Sequence, residues 1–328
     1  MSSSYNEATT SDELVKDFAP EIKGKTILTT GVSPNSLGAT FLESIAKAEP
    51  ALLILAGRNI EKVQQTANAI SLVLPDVKTR VLRLDLGSFD AVREAAATVN
   101  GWADVPNVDV LVNNAGIMAV KYALSPDGFE TQFATNHLGH FLFTNLIMAK
   151  ILASKAPRIV NISSDGHRLS PIRWDDYNFR NGETYNKWRA YGQSKTANML
   201  MAISIAEKLG PRVLAYSLHP GVIATNLGAH IDWSAGFEGL QDLDKEEGNK
   251  EGWKHFVFKS AQAGAATHVY AAFSPSLKDH NGVYLEDCQI ADPWVQTVKP
   301  WATSSVEAEK LWKLSEKLVG QEFTYPSS

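Results

Sequence analysis

Short apolar runs alternate along this chain with longer segments in which apolar residues recur every three or four positions. The runs fall at 25–30, 51–56, 81–84, 108–112, 158–163, 213–218 and 282–285, and they lack the period-2 alternation of half-exposed strands. Between them, helical periodicity marks 37–48, 60–74, 88–99, 133–152 and 190–209, the last stopped by Gly210 and Pro211. Strands buried on both faces and joined through helices predict a doubly wound α/β fold, a parallel sheet of about seven strands with helices on both sides. A final helix is expected up to about Leu318, where Ser304 and Glu307 have capping-box spacing.

No linker or repeat interrupts this pattern. Residues 23–328 are therefore expected to form one domain behind a polar N-terminal extension, 1–22, that holds a short helical stretch at 12–18. With 328 residues, 44% hydrophobic and 20% charged, the chain can bury a large core, and disorder is excluded for most of it. A net charge of -5 and the lack of a dense Lys/Arg stripe argue against nucleic acid as a partner. No apolar run approaches the ~18 residues of a membrane span, and no secretory leader pattern opens the chain. With Cys288 as the one cysteine, the expected setting is reducing and cytoplasmic.

Candidate chemistry gathers at the ends of the predicted strands, where this architecture binds ligands. The first run ends in Thr30-Gly31-Val32-Ser33-Pro34-Asn35-Ser36-Leu37-Gly38, a glycine turn that opens a helix whose free N–H groups suit a pyrophosphate. Ser36 stands where a middle glycine is expected and offers a hydroxyl to a phosphate. The second run ends in Ala56-Gly57-Arg58. An acidic residue there would bind the ribose hydroxyls of NAD, whereas Arg58 suits the 2′-phosphate of NADP. Tyr191 and Lys195 stand four apart in the 190–209 helix, so their side chains share a face one turn apart. A cation at that distance favours the phenolate of a tyrosine whose ordinary pKa is ~10, and the pair suits general acid/base work.

In order and spacing these stretches resemble the short-chain dehydrogenase/reductase family, from about Lys23 to Asp292. Asp85-Leu86 ends the third run, where the family places an acidic side chain against the adenine. Asn113-Asn114-Ala115-Gly116 is similar to the motif that steadies the central strands and admits the cofactor. Asn136 matches the helix asparagine that holds a proton-relay water. Ser164 aligns with the catalytic serine, with Ser163 beside it as the fallback. Tyr191 and Lys195 match the family's Tyr-x-x-x-Lys, and Pro220, Gly221, Ile223 and Thr225 match the segment beside the nicotinamide. The long insert after Ser164, together with 259–267 and 282–288, resembles the retinol-dehydrogenase-like branch, which is also similar to the WW-domain oxidoreductases and protochlorophyllide reductases. The turn beginning at Thr30 looks like that of fungal members.

The resemblance implies a Rossmann-type fold, NADP(H) as cofactor, and Asn136, Ser164, Tyr191 and Lys195 as catalytic residues. Its implied cofactor site comprises Gly31, Ser33, Ser36, Leu37, Gly38, Arg58, Asp85, Leu86, Asn113, Ala115, Gly116, Tyr191, Lys195, Pro220, Gly221, Ile223 and Thr225. The expected reaction is hydride transfer between the nicotinamide and a carbonyl or alcohol, chiefly reduction of a ketone or aldehyde. Reduction of a carbon–carbon double bond, and a non-catalytic NADP(H)-binding regulator or scaffold, are the alternatives. A variable lid is expected at about 227–258, where Trp233, Phe237, Trp253, Phe256 and Phe258 suggest an apolar substrate. Within it, 242–248 superficially looks like a calcium loop, but its glycine is one place late and Trp253 replaces the bidentate Glu. His137 and His140 lack further ligands nearby, so no metal is expected. Phe141, Leu142, Ile147 and Leu152 give their helix an apolar face, open either to a homodimer or to burial within the chain.

Overall fold

The computed structural model describes residues 5–231, 233–249, 253 and 256–325, and the side chains of 233–238 lie outside that description. The expectations for Trp233 and Phe237 therefore fall outside the described residues, as do those for lid positions 232, 250–252, 254 and 255.

Ten strands form among the described residues: β1 (Thr26–Thr30), β2 (Leu52–Gly57), β3 (Thr79–Arg83), β4 (Val110–Asn113), β5 (Arg158–Ile162), β6 (Leu214–His219), β7 (Val222–Ile223), β8 (Phe258–Lys259), β9 (Tyr284–Glu286) and β10 (Gln289–Ile290). Eight of them make the main sheet in the order β10-β9-β6-β5-β4-β1-β2-β3, and β7 pairs with β8 apart from it. Every pairing in the main sheet is parallel except β10 on β9. The fold is thus the doubly wound α/β architecture, with one short antiparallel edge strand beyond the predicted set. From β1 the chain builds outward to β3, then returns to lay β4 on the other side of β1. That reversal opens a crevice at the carboxyl ends of β1 and β4.

Both faces of the sheet are covered, which is why its strands read as continuous apolar runs. One layer sets Phe41, Leu42, Val269 and Phe273 against it, and the other sets Val92, Phe141, Leu200 and Leu311. The segment read from its sequence as a polar extension belongs to the first layer. A capping box between Thr10 and Glu13 starts the helix Ser11–Asp17, and Leu14, Val15, Phe18 and Ile22 are buried.

The single helix expected over 133–152 is broken. Residues Thr131–Phe133 are helical, Ala134–Leu138 form a wider π turn, and Gly139–Leu146 and Met148–Leu152 follow on either side of Ile147. In the π turn the Asn136 amide grips a neighbouring loop, donating to the Ile117 carbonyl at 2.9 Å and accepting from its N–H at 2.8 Å. The apolar face of this segment is used within the chain. Phe141 packs edge-on against Trp312 at 4.9 Å and Phe323 at 5.8 Å, so at this residue the face is covered by the helix Ser305–Val319 and the segment that follows it. No helix among the described residues is long and apolar enough to cross a membrane.

Candidate active site

A cleft of about 1330 Å³ runs along the carboxyl ends of the central strands, from Arg58 at one end to Trp253 and Phe256 at the other. At its near end, β1 stops at Gly31, whose φ of +73° is left-handed. A Cβ there would lie 2.6 Å from Ala115 Cα, so the turn needs glycine for both backbone and space. Ser36 caps the helix Leu37–Ile45 by accepting from Ala39 N–H at 3.1 Å, and its own hydroxyl donates to the Gly31 carbonyl at 3.1 Å. That hydroxyl is committed to shaping the turn, contrary to its expected availability to a phosphate. The Leu37 and Gly38 N–H groups, which a helix start leaves without helical partners, remain for an anion.

Arg58 follows β2 and lines the cleft, as does Lys62 in the first turn of the helix Ile60–Val73. Both are exposed and neither has an ion-pair partner among the described residues. Arg58 precedes the helix Ile60–Val73 and Lys62 lies in its first turn, where by sequence alone it reads as an ordinary solvated residue.

At the inner end, β5 delivers two serines to different tasks. Ser163 is buried and donates to the Lys195 carbonyl at 2.8 Å, which fixes the strand to the helix Lys187–Leu209. Ser164 lines the cleft and accepts from Gly166 N–H at 3.0 Å. A Cβ on Gly166 would lie 2.7 Å from Tyr191 Cε1, so this turn presses directly on the tyrosine ring. Lys195 Nζ sits 5.5 Å from the centre of that ring and donates to the Ile162 carbonyl at 3.0 Å.

The electrostatics differ from the expectation that Lys195 favours the phenolate. Burial pushes Tyr191 up to about 12, against the lowering pull of the Ser164 hydroxyl. Burial likewise pushes Lys195 down to about 8. Desolvation disfavours the charged form of both groups, and it is the largest cause of the shift in each.

Of the expected site residues, Gly31, Ser33, Ser36, Leu37, Arg58, Asp85, Leu86, Ala115, Gly116, Ser164, Tyr191, Lys195, Pro220, Gly221, Ile223 and Thr225 line this one cleft. Three stand behind its wall. Gly38 packs beneath the Asn114 amide. Asn113 is buried and donates to Thr144 Oγ1 and Asn161 Oδ1. Asn136, also buried, spends its amide on Ile117 and on Ser194 Oγ, at 2.9 Å, while its carbonyl accepts from His140 Nδ1. His140 carries that contact onward to the glycine turn after β1. Thr30 Oγ1 accepts from the Asn114 and Ala115 N–H groups, so its own proton goes to His140 Nε2 at 2.9 Å. Along with Lys62, His140 is a contributor that sequence spacing does not reveal.

The far end of the cleft is apolar, with Leu169, Trp188, Leu240, Trp253 and Phe256 around it. Phe258 also lines the cleft.

The chain matches the short chain dehydrogenase family over residues 25–178. It is 38% identical over 314 residues to the short-chain dehydrogenase/reductase prx1 of Penicillium rubens, across 92% of this chain and 87% of that one. Retinol dehydrogenase 14 of Homo sapiens is 35% identical over 311 residues, across 90% of this chain and 87% of that one. Among solved structures, an uncharacterized protein from Mycobacterium paratuberculosis superposes with a TM-score of 0.70 at 30% identity, covering 95% of this chain and 98% of that one.

Proposed function

This chain belongs to the short-chain dehydrogenase/reductase family, oxidoreductases that bind a nicotinamide cofactor, and from that premise we propose that it uses NADPH to reduce the carbonyl of an apolar ketone or aldehyde. The observation that carries this reading is a single cleft with Arg58 and Lys62 at one end and Ser164, Tyr191 and Lys195 converging further in. Two exposed cations beside a helix start, neither ion-paired among the described residues, suit a ligand with a 2′-phosphate and a pyrophosphate, and no carboxylate stands at Arg58 to favour NAD. The apolar far end, and the name of the human relative as a retinol dehydrogenase, support an apolar substrate. In this reading the segment 227–258 is the lid over the substrate.

The residues divide the work by position. Arg58 and Lys62 would hold the 2′-phosphate, the N–H groups at the helix start at Leu37 would hold the pyrophosphate, and Asp85, Ala115 and Gly116 line the path between. Bound there, NADPH supplies the hydride. Ser164 Oγ donates a hydrogen bond to the substrate's carbonyl oxygen and polarises it. Tyr191 Oη gives that oxygen its proton. A tyrosine near pKa 12 stays protonated across the neutral range and still gives its proton readily to an alkoxide, so the raised value suits reduction. Lys195 Nζ, near 8, lies close enough to neutrality to return a proton to Tyr191. Asn136 is a positioning residue, acting through Ile117 and Ser194 on the loop and helix that aim the others.

The test is Tyr191→Phe. Turnover of an apolar ketone panel is expected to fall by at least about 100-fold, with NADPH affinity retained. Undiminished reduction by the variant would sink the mechanism.

A further inference from the structure

β5 and β6 run in register with Ile162 opposite Leu218, so the chain leaves the sheet at Ser163 and His219 on neighbouring strands at the same level. Two side chains at these exits line the cleft and take no part in the chemistry above: Asp165 and His219.

Asp165 follows Ser164 directly. Its Oδ2 accepts from Arg168 Nη1 at 3.2 Å and from Trp253 Nε1 at 3.1 Å, whereas Oδ1 has no partner among the described residues. The Asp165 side chain remains 21% exposed, so the free oxygen belongs to a carboxylate open to the cleft. His219 is 8% exposed, and neither of its ring nitrogens is hydrogen-bonded among the described residues, with Nδ1 fully buried. Burial pushes its pKa down to about 4, so at neutral pH it offers one N–H and one lone pair. A buried polar side chain without a partner is a cost to the fold. Nδ1 is sealed, so a ligand in the cleft reaches this ring through Nε2.

We propose that Asp165 and His219 form a polar subsite beside Ser164 that selects substrates carrying a hydroxyl in addition to the reacting carbonyl. The inference rests on the reductase reading for the identity of that carbonyl. A hydroxyl is both donor and acceptor, so its O–H pairs with Asp165 Oδ1 while its oxygen accepts from the His219 imidazole. A purely apolar group would leave Asp165 Oδ1 and the His219 ring without partners. A carboxylate would meet like charge, because Asp165 is backed by Glu286, the strand partner of His219. Glu286 is pushed up to about 7 by burial and then by the Asp165 and Asp287 carboxylates, so further negative charge is resisted there. Of the cations near these side chains, Arg168 is already engaged by Asp244, and Lys259, which acts on both His219 and Glu286, is paired with Asp287. The surrounding wall of Leu169, Trp188, Leu240 and Trp253 receives the rest of the molecule, which makes the expected substrate a hydroxylated but mainly apolar ketone or aldehyde.

The experiment uses aryl methyl ketones whose ring carries a methyl, hydroxymethyl, aminomethyl or carboxylate group. Each is titrated by calorimetry into the NADP+-loaded full chain, and into the free chain in parallel, so no turnover is required. The wild type is expected to prefer the hydroxymethyl over the methyl ketone by about 10-fold or more. Asp165→Ala and His219→Leu should each bring that ratio to about one, with methyl-ketone and NADP+ affinities changed less than about 3-fold. Should Asp165→Ala also release Trp253, His219→Leu, at a side chain that makes no hydrogen bond to Trp253, decides the matter. Equal wild-type affinities, a preference that survives both substitutions, or tightest binding of the aminomethyl ketone would each overturn the proposal. Reduction of the methyl ketone by NADPH with no hydroxyl preference leaves the reductase reading standing without the subsite. A hydroxyl preference without hydride transfer does the reverse.

Discussion

Arg168 grips Asp244 through two parallel hydrogen bonds, Nε to Oδ1 at 2.7 Å and Nη2 to Oδ2 at 2.8 Å, with the Asp244 side chain fully buried. Arg168 belongs to the turn that follows Ser164, and Asp244 to the helix Trp233–Glu246. The same guanidinium lies 4.4 Å from the centre of the Trp253 ring, whose indole N–H is held by Asp165. A planar fork can satisfy a carboxylate and stack on an aromatic face at once, so a single cation ties both parts of the proposed lid to the wall beside Ser164.

Removing the carboxylate should loosen that tie. Breaking a buried pair from one side costs about 3–5 kcal/mol, because the stranded charge stays behind. Asp244→Ala is expected to speed tryptic cleavage at Lys245 and to raise KM for an apolar ketone more than it lowers kcat. Unchanged cleavage and KM would mean that the lid is anchored elsewhere.

Cofactor choice should follow the two cations at the end of β2. Arg58→Asp is expected to weaken NADPH by about 30-fold or more and NADH by less than about 3-fold. Lys62→Ala should weaken NADPH by roughly 5-fold. Fluorescence titration with both nucleotides checks this, and equal losses for NADPH and NADH would refute the assignment.

Acid should unfold this protein early. Burial pushes His137 down to about 3 and His140, His167, His219 and His268 to about 4. These values lie below the ordinary ~6.5, so the unfolded chain binds protons first as pH falls. The stability tied to the neutral rings is complete above about 6.5 and is lost as pH drops through about 4. Two of the rings show why protonation is resisted: His167 Nε2 accepts from Lys299 N–H, and His140 Nε2 from the Thr30 hydroxyl. Circular dichroism is expected to give an unfolding midpoint near pH ~5, and a chain still fully folded at pH 4 would contradict the account.

The N-terminal segment should behave as part of the core. Leu14→Ala leaves a cavity among Val15, Phe18 and Ile22 and is expected to cost about 3 kcal/mol in urea denaturation. Deleting residues 1–22 should destabilise the protein more than that substitution does. Equal stability of the shortened chain would restore the reading of this segment as an extension.

Read alone, the sequence determined the order of strands and helices, the parallel sheet, and the strand ends where candidate ligand-binding residues gather. These are consequences of one-dimensional periodicity: a strand buried on both faces must be apolar throughout, and a helix must show its apolar stripe every three or four residues. Local spacing also brought Tyr191 and Lys195 to one helical face. What depends on partners far along the chain was decided only by the tertiary structure. Ser163 and Ser164 are chemically alike and adjacent, and only packing against the Lys195 carbonyl separates them. The π turn at Asn136 follows a grip on Ile117, 19 positions away. Arg168 and Asp244 lie 76 positions apart, and nothing in either local sequence names the other. The same holds for the titration of Tyr191 and Lys195. Spacing predicts that a cation lowers the tyrosine, but the water excluded by the surrounding elements raises it, because desolvation belongs to the assembled fold and not to the helix.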